Sequence, residues 1–276
     1  MKLQYYGTAA AEGWPGLFCK CQVCQEARRR GGKNIRTRAQ ACIDDRLLLD
    51  FGPDTYLHTI YGNLKLEQIH SCLITHSHED HLCISEIGYR AHGYAGQVIP
   101  ERFMFYGSRT VCDILGHMPS WENDPERIGF QPVDPYQTFE VEGYQVTPLI
   151  ASHALDETPP MICYIYAIEK DGKRILYAHD TGYFPEKTWE WLEGRPFDLI
   201  SLDCTTLAYR EGRTHMGIEN VLEVKEKMIQ IGCGKPNTHW IINHFSHNGV
   251  ILHEELVDRM TPYGIEVSYD GMEVVL

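Results

Sequence analysis

Residues 71–81 read Ser71-Cys72-Leu73-Ile74-Thr75-His76-Ser77-His78-Glu79-Asp80-His81. The segment Ser71–Thr75 is a nearly continuous apolar run, the mark of a buried strand. It opens into a loop that carries three imidazoles and a carboxylate within six residues. Both side-chain types are good ligands for zinc, manganese or iron. In an extended segment alternate residues point the same way, so His76 and His78 share one side. Asp80 and His81 then turn with the chain towards a second position. One short loop can thus serve two cations a few ångströms apart, as two-metal hydrolysis requires. The plain alternative is a polar surface loop rich in histidine, and the buried strand leading straight into the cluster argues against it.

Outward from this loop the chain reads as many short strands. They are Leu3–Tyr6, Arg102–Tyr106, Tyr144–Pro148, Leu199–Asp203, Trp240–Asn243, Ile265–Tyr269 and Met272–Val275. Ala39–Ile43 and Leu47–Phe51 form a hairpin around Asp44–Asp45, and Cys163–Glu169 with Arg174–Ala178 form another around Lys170-Asp171-Gly172. Helices are expected at Ser85–His92, Ser108–Leu115, Lys187–Leu192 and Leu252–Met260, and most clearly at Ile218–Ile231, where Val221, Leu222, Val224 and Met228 have helical spacing. Strands in series, with helices collecting late in each half, predict an αββα four-layer sandwich of two sheets covered by helices. The 276 residues, 43% of them apolar, suffice for one large core, so 1–276 is expected to be a single domain.

The formal net charge is −13, which disfavours polymeric nucleic acid as a partner. Two divalent ions would reverse the sign inside one pocket, so an anionic small molecule stays open as substrate. No apolar run approaches the ~18 to 20 residues of a membrane helix, and Met1–Gly7 reads as a strand running into a glycine, not as a secretion signal. A cytoplasmic protein with no membrane partner is the expectation.

The pattern His76-x-His78-x-Asp80-His81 after an apolar strand resembles the signature of the metallo-β-lactamase superfamily. The resemblance implies that fold and three further ligands at later strand ends. His153, Asp180 and His244 follow in that order, after a strand-like run, after Ala178 and after Ile242. It implies that His76, His78 and His153 hold one ion, that Asp80, His81 and His244 hold the other, and that Asp180 bridges both. Asp50, at the end of its strand, is the expected hydrogen-bond partner of a ligating imidazole.

Ten cysteines are present; Cys72, Cys83, Cys112, Cys163 and Cys204 lie in apolar stretches that suit buried side chains. Cys19, Cys21 and Cys24 instead cluster, and tetrahedral zinc wants a fourth ligand. No cysteine lies close by, while His247, three residues after His244, can complete a Cys3His site. Three reduced, partly exposed thiols are the alternative, and these would be open to oxidation.

With Gly7-Thr8, Leu49-Asp50, Val146-Thr147-Pro148-Leu149, Asp180-Thr181, Asp203-Cys204, His244-x-Ser246-His247 and Tyr269-Asp270-Gly271, these features resemble the PhnP phosphodiesterase branch over nearly the whole chain. That likeness implies a structural zinc in the loop 19–24 and a histidine near the scissile phosphate, matching His215. The expected activity is hydrolysis of a small cyclic ribose phosphate or nucleotide by water activated between two ions of zinc or manganese, or iron. Asp80 would orient the nucleophile and His215 would serve as general acid. A homodimer is compatible with this reading. Arg90 is expected either to face a phosphate or to be an exposed helix charge. The segments 90–130 and 153–162 are longer than the family pattern and are expected to border the pocket.

Rival readings are a thioester, lactone or β-lactam substrate, which the same fold supports, and a non-hydrolytic metal-binding sensor. A nuclease acting on tRNA would want a basic arm that the sequence lacks. The PqqB cofactor-synthesis proteins share the cysteine cluster but depart from the full His-x-His-x-Asp-His run.

Overall fold

The computed structural model describes residues 1–119, 123–154 and 161–276. The first half gives β1 (Lys2–Gly7), α1 (Gln22–Arg30), β2 (Gln40–Ile43), β3 (Leu47–Leu49), α2 (Thr55–Ile60), β4 (Ser71–Leu73), α3 (Ile84–Gly88), β5 (Phe103–Gly107), α4 (Arg109–Gly116) and β6 (Ile128–Pro132). The second half gives β7 (Phe139–Val141), β8 (Tyr144–Ile150), β9 (Tyr164–Lys170), β10 (Lys173–Ala178), α5 (Glu186–Leu192), β11 (Phe197–Asp203), α6 (Ile218–Gln230), β12 (Gly234–Asn243), α7 (His253–Met260) and β13 (Glu266–Val267). The last strand, β14 (Glu273–Val275), returns to the first sheet. The sheet orders are β14-β1-β2-β3-β4-β5-β6 and β13-β12-β11-β10-β9-β8-β7.

Strand alternation builds the layers. In β3, Leu47 and Leu49 meet Tyr5, Tyr166 and Tyr177 between the sheets, while Leu48 packs outward with Val111 and Leu115 of α4. In β10, Ile175 and Tyr177 point inward, while Leu176 and Ala178 join Trp189, Val221 and Val224 under α5 and α6. Three apolar cores therefore separate four layers, as the αββα expectation requires. Buried tyrosines satisfy their hydroxyls across the middle layer: Tyr5 bonds Ser201 Oγ at 2.8 Å and Tyr166 donates to the Ile74 carbonyl at 2.7 Å.

Strands β3 to β6 run parallel, as do β10 to β13. Asp50, His76, Asp180, Asp203 and His244 all lie at the carboxyl ends of these parallel strands, where open sheets expose their loops.

Four elements go beyond the sequence expectation: α1, α2, β6 and β7. Helix α1 buries only Cys24 and Ala27, so it shows no apolar stripe. Helix α2 leaves Tyr56, Leu57 and Ile60 exposed, which hides its amphipathic face from a periodicity reading. The helix expected over Ser85–His92 stops at Gly88. Among the described residues, no helix is long and apolar enough to cross a membrane.

Candidate metal centre

Backbone contacts fix the loop after β4. The amides of His81 and Leu82 both donate to the His78 carbonyl, at 3.0 and 2.8 Å, closing a tight turn. The Phe51 amide donates to the His81 carbonyl at 2.8 Å, and the Cys83 amide donates to the Phe51 carbonyl at 2.7 Å. Gly52 is needed beside this turn, because a Cβ there would lie 2.1 Å from the Asp80 carbonyl oxygen.

The loop meets three strand ends from the second sheet. Nε2 of His76 lies 2.9 Å from His78 Nδ1, which lies 3.2 Å from His153 Nε2. His81 Nε2 is 2.7 Å from Asp180 Oδ2 and 3.1 Å from Asp80 Oδ2. His244 Nε2 is 3.0 Å from the same Asp180 oxygen and 3.9 Å from Asp80 Oδ2. The other Asp180 oxygen faces His153 Nε2 at 3.8 Å. Two ligand sets thus converge, His76-His78-His153 and Asp80-His81-His244, with Asp180 between them. Asp50, Asp180 and His244 adopt φ of +66°, +49° and +64°, a conformation costing of order 1 kcal/mol that persists where the surroundings impose it.

Nitrogens outside the cluster are anchored so that the inner ones stay bare. His81 Nδ1 donates to Asp50 Oδ2 at 2.7 Å, the support expected of Asp50, and His153 Nδ1 donates to the Thr214 carbonyl at 3.1 Å. Among the described residues, His81 Nε2, His244 Nε2 and Asp180 Oδ2 are buried and make no hydrogen bond. Burial lowers the pKa of His76 and His153 below the ordinary imidazole range. Burial also opposes charge on His81 and His244, but the neighbouring carboxylates prevail: Asp80 and Asp180 raise His81 well above its usual value, and Asp180 takes His244 to about 10. Burial works against the Asp80 and Asp180 charges as well, yet His81 and His244 hold both carboxylates well below the usual range. A divalent cation satisfies lone pairs and carboxylates together, and protons compete with it for the same atoms. The residues present therefore fit divalent metal ions.

His215 stands at the open side of this cluster. Its Nδ1 lies 3.2 Å from Asp203 Oδ2 and 3.7 Å from Asp180 Oδ1. The ring is 4.8 Å from that of His153, and the Glu211 carboxylate accepts its backbone amide at 2.7 Å. Asp203, to which sequence reasoning gave no role, is fully buried and organises this corner. Its only signal in the sequence is a carboxylate ending an apolar strand.

The second cluster also assembles. His247 Nδ1 lies 3.8 Å from Cys19 Sγ and 3.7 Å from Cys21 Sγ, and Cys24 completes the group. A Cβ at Gly16 would sit 2.7 Å from the His247 ring. Backbone amides aim at sulfur, Gly16 at Cys24 and Cys21 at Cys19. Burial raises the Cys21 thiol, but hydrogen bonds from Cys24 and Cys19 outweigh it and leave it near 7, whereas burial pushes Cys24 up to about 12. Among the described residues no cysteine forms a disulfide.

Two expectations fail. Arg90 is not an exposed charge on the helix, which ends at Gly88, and its guanidinium is taken up by the carbonyls of Arg127 and Glu101, tying outer loops together. The described part of 90–130 does not border the cleft beside the metal loop. That cleft, about 780 Å³, is lined by Ala11, Arg38, Pro53, His78–Asp80 and Leu82–Ser85. The longer segment instead helps enclose a separate apolar cavity of about 360 Å³ over Phe51, Phe103 and Phe105. Of the segment 153–162, residues 155–160 lie outside the described residues.

The four-layer fold and the facing ligand sets define a metal-dependent hydrolase of the metallo-β-lactamase class. The chain belongs to the family described as Beta-lactamase superfamily domain, whose model matches residues 45–231. It is similar to Coenzyme PQQ synthesis protein B of Klebsiella pneumoniae, 24% identical over 100% of this chain and 98% of that one. It is also similar to the probable metallo-hydrolase YhfI of Bacillus subtilis, 26% identical over 75% of this chain and 78% of that protein. Among solved structures, a diphosphatase from the PhnP family superposes with a TM-score of 0.75 at 21% identity, covering 100% of this chain and 97% of that one. Zn(2+)-bound PqqB from Methylobacterium extorquens superposes with 0.78 at 18% identity, covering 100% of both. At these identities the superpositions speak for the fold.

Proposed function

We propose that this chain hydrolyses a small phosphodiester, a cyclic ribose phosphate or nucleotide, at a centre of two divalent ions of zinc or manganese. His76, His78 and His153 would hold one ion, Asp80, His81 and His244 the other, and Asp180 would touch both; Cys19, Cys21, Cys24 and His247 would hold one structural zinc. When bound, such a pair of ions supplies acidification of water and neutralisation of charge on phosphoryl oxygens. The chain's own residues do the rest. Asp80 orients the attacking water. His215, with Nδ1 on Asp203, keeps Nε2 free to hold a proton for the leaving oxygen. The observation that carries this reading is the placement of His215, anchored by the buried Asp203 carboxylate, still partly exposed, and beside His153 and Asp180 of the ligand cluster.

A role in cofactor synthesis, as the name of PqqB has it, is the second reading, favoured by the full-length likeness to that protein. The intact His76-x-His78-x-Asp80-His81 run supports hydrolysis. A substrate panel with zinc or manganese tests both: bis-p-nitrophenyl phosphate, 2′,3′-cyclic nucleotides, a diphosphate ester, a thioester and a lactone, beside Asp80→Ala. Turnover of a phosphodiester that is lost in Asp80→Ala is expected. Turnover confined to the thioester or lactone would overturn the substrate assignment, and activity surviving in Asp80→Ala would overturn the site.

A further inference from the structure

Two threonines stand between buried carboxylates and imidazoles in the same way. Thr205 Oγ1 lies 2.8 Å from Asp203 Oδ2 and 2.8 Å from His244 Nδ1. Thr75 Oγ1 lies 3.0 Å from Asp50 Oδ1 and 3.0 Å from His76 Nδ1. Each threonine is pinned a second time through its backbone amide, Thr205 to Asp203 at 3.1 Å and Thr75 to Asp50 at 2.8 Å. We propose that Thr75 and Thr205 are positioning residues that set the tautomer of one ligating imidazole on each side of the metal centre. This rests on the two-ion reading above.

Proton counting gives the direction. A hydroxyl has one hydrogen to donate, and a carboxylate oxygen only accepts. The threonine hydrogen therefore goes to the aspartate, and its oxygen is left to accept from imidazole. Nδ1 of His76 and of His244 must carry the hydrogen, which leaves each Nε2 as a bare lone pair aimed into the cluster. The reverse arrangement would set oxygen lone pairs against each other at 2.8 and 3.0 Å in a dry site. Polarisation along carboxylate, hydroxyl and imidazole also makes the inner nitrogen a stronger donor to a cation.

Each carboxylate serves a second ring directly, Asp50 the ring of His81 at 2.7 Å and Asp203 that of His215 at 3.2 Å. One buried aspartate per sheet thus orients two imidazoles. On the Asp203 side this locks the metal ligand His244 and the proton-holding His215 to a single anchor. The threonine methyl restricts χ1, so the hydroxyl cannot swing away from its two partners.

The test uses Thr205→Val and Thr75→Val, which keep the shape and remove the hydroxyl, with Thr205→Ser and Thr75→Ser as rescues. Zinc affinity is measured on the full chain by competition with a chromophoric chelator. Long-range ¹H–¹⁵N spectra of the zinc-loaded protein report histidine tautomers. The expected result is that each valine variant binds one active-site ion ~10–100-fold more weakly, that serine restores most of the loss, and that His76 and His244 carry hydrogen at Nδ1 in the parent protein. Zinc retained on the cysteine cluster verifies that each variant is folded. If the parent binds two ions and the valine variants bind them equally well, or if the rings carry hydrogen at Nε2, the relay is overturned while the two-ion reading stands. If the parent binds no such pair, both fall.

Discussion

Replacing Gly52 with alanine should disable the metal centre without touching a ligand. The added Cβ would meet the Asp80 carbonyl oxygen at 2.1 Å, and ordinary contact begins near 3.4 Å, so the two must part by more than an ångström. Neither segment can yield freely. The Phe51 amide holds the His81 carbonyl at 2.8 Å and the Cys83 amide holds the Phe51 carbonyl at 2.7 Å, so separating the strands breaks bonds worth ~1 kcal/mol each. Overpacking of this kind costs ~1–3 kcal/mol of stability, which a domain of this size can bear. The displacement falls on Asp80, the proposed orienting residue. A misplacement of ~1 Å at such a group costs ~10²-fold in rate. We expect Gly52→Ala to lower kcat/KM on bis-p-nitrophenyl phosphate by ~10²-fold, to weaken active-site metal binding and to keep zinc on the cysteine cluster. The measurements are steady-state kinetics, metal content and urea unfolding. Activity within twofold of the parent, with both ions in place, would refute the claim that this backbone approach sets the position of Asp80.

His215→Ala should slow a substrate with an alkoxide leaving group by ~10²-fold or more while barely affecting one that expels p-nitrophenolate, because a good leaving group needs no proton; equal losses on both would remove His215 as the acid. Cys21→Ser should cost one zinc by elemental analysis and lower the unfolding temperature, and an unchanged metal count would exclude the Cys3His site. A pH effect follows from His253, buried beside the Arg36 guanidinium, whose Nη2 lies 3.0 Å from its Nδ1. Burial, with the Arg36 and Lys33 charges, lowers this imidazole from 6.5 to about 4. The unfolded chain then takes up a proton before the native one, so stability is full above about 6.5 and is lost as pH falls towards about 4. Allowing for solvent screening, the loss is ~1–2 kcal/mol. Burial also lowers His58 to about 4, so urea unfolding at pH 7.5 and pH 5 should show a smaller loss in His253→Gln than in the parent, and equal losses in both would contradict this account.

What was legible in the sequence and what was not divide along a physical line. The His76–His81 run was legible because its ligands lie within one turn of chain, and so was β4, whose apolar residues leave no alternative to burial. His153, Asp180 and His244 were legible only through family likeness, since a lone polar residue after a strand has no local signature; their convergence is a property of two sheets facing each other. Asp203 was legible only as one residue of that likeness and as a carboxylate ending an apolar strand, with no role attached, and neither Thr75 nor Thr205 was marked out for the role it plays. Nothing about threonine in a strand-end sequence distinguishes a capped turn from a hydroxyl wedged between carboxylate and imidazole, and only the 2.8 Å distances on both sides make that distinction. Arg90 fits neither role open to it, exposed helix charge or phosphate ligand: α3 ends before it, at Gly88, and its guanidinium clamps neighbouring carbonyls. Residues proposed to hold metal-ligating imidazoles in place are thus the ones a sequence hides best, because their chemistry is spent on partners distant along the chain. A variant at Thr205 or Gly52 would look conservative in sequence, and the geometry requires that it is not.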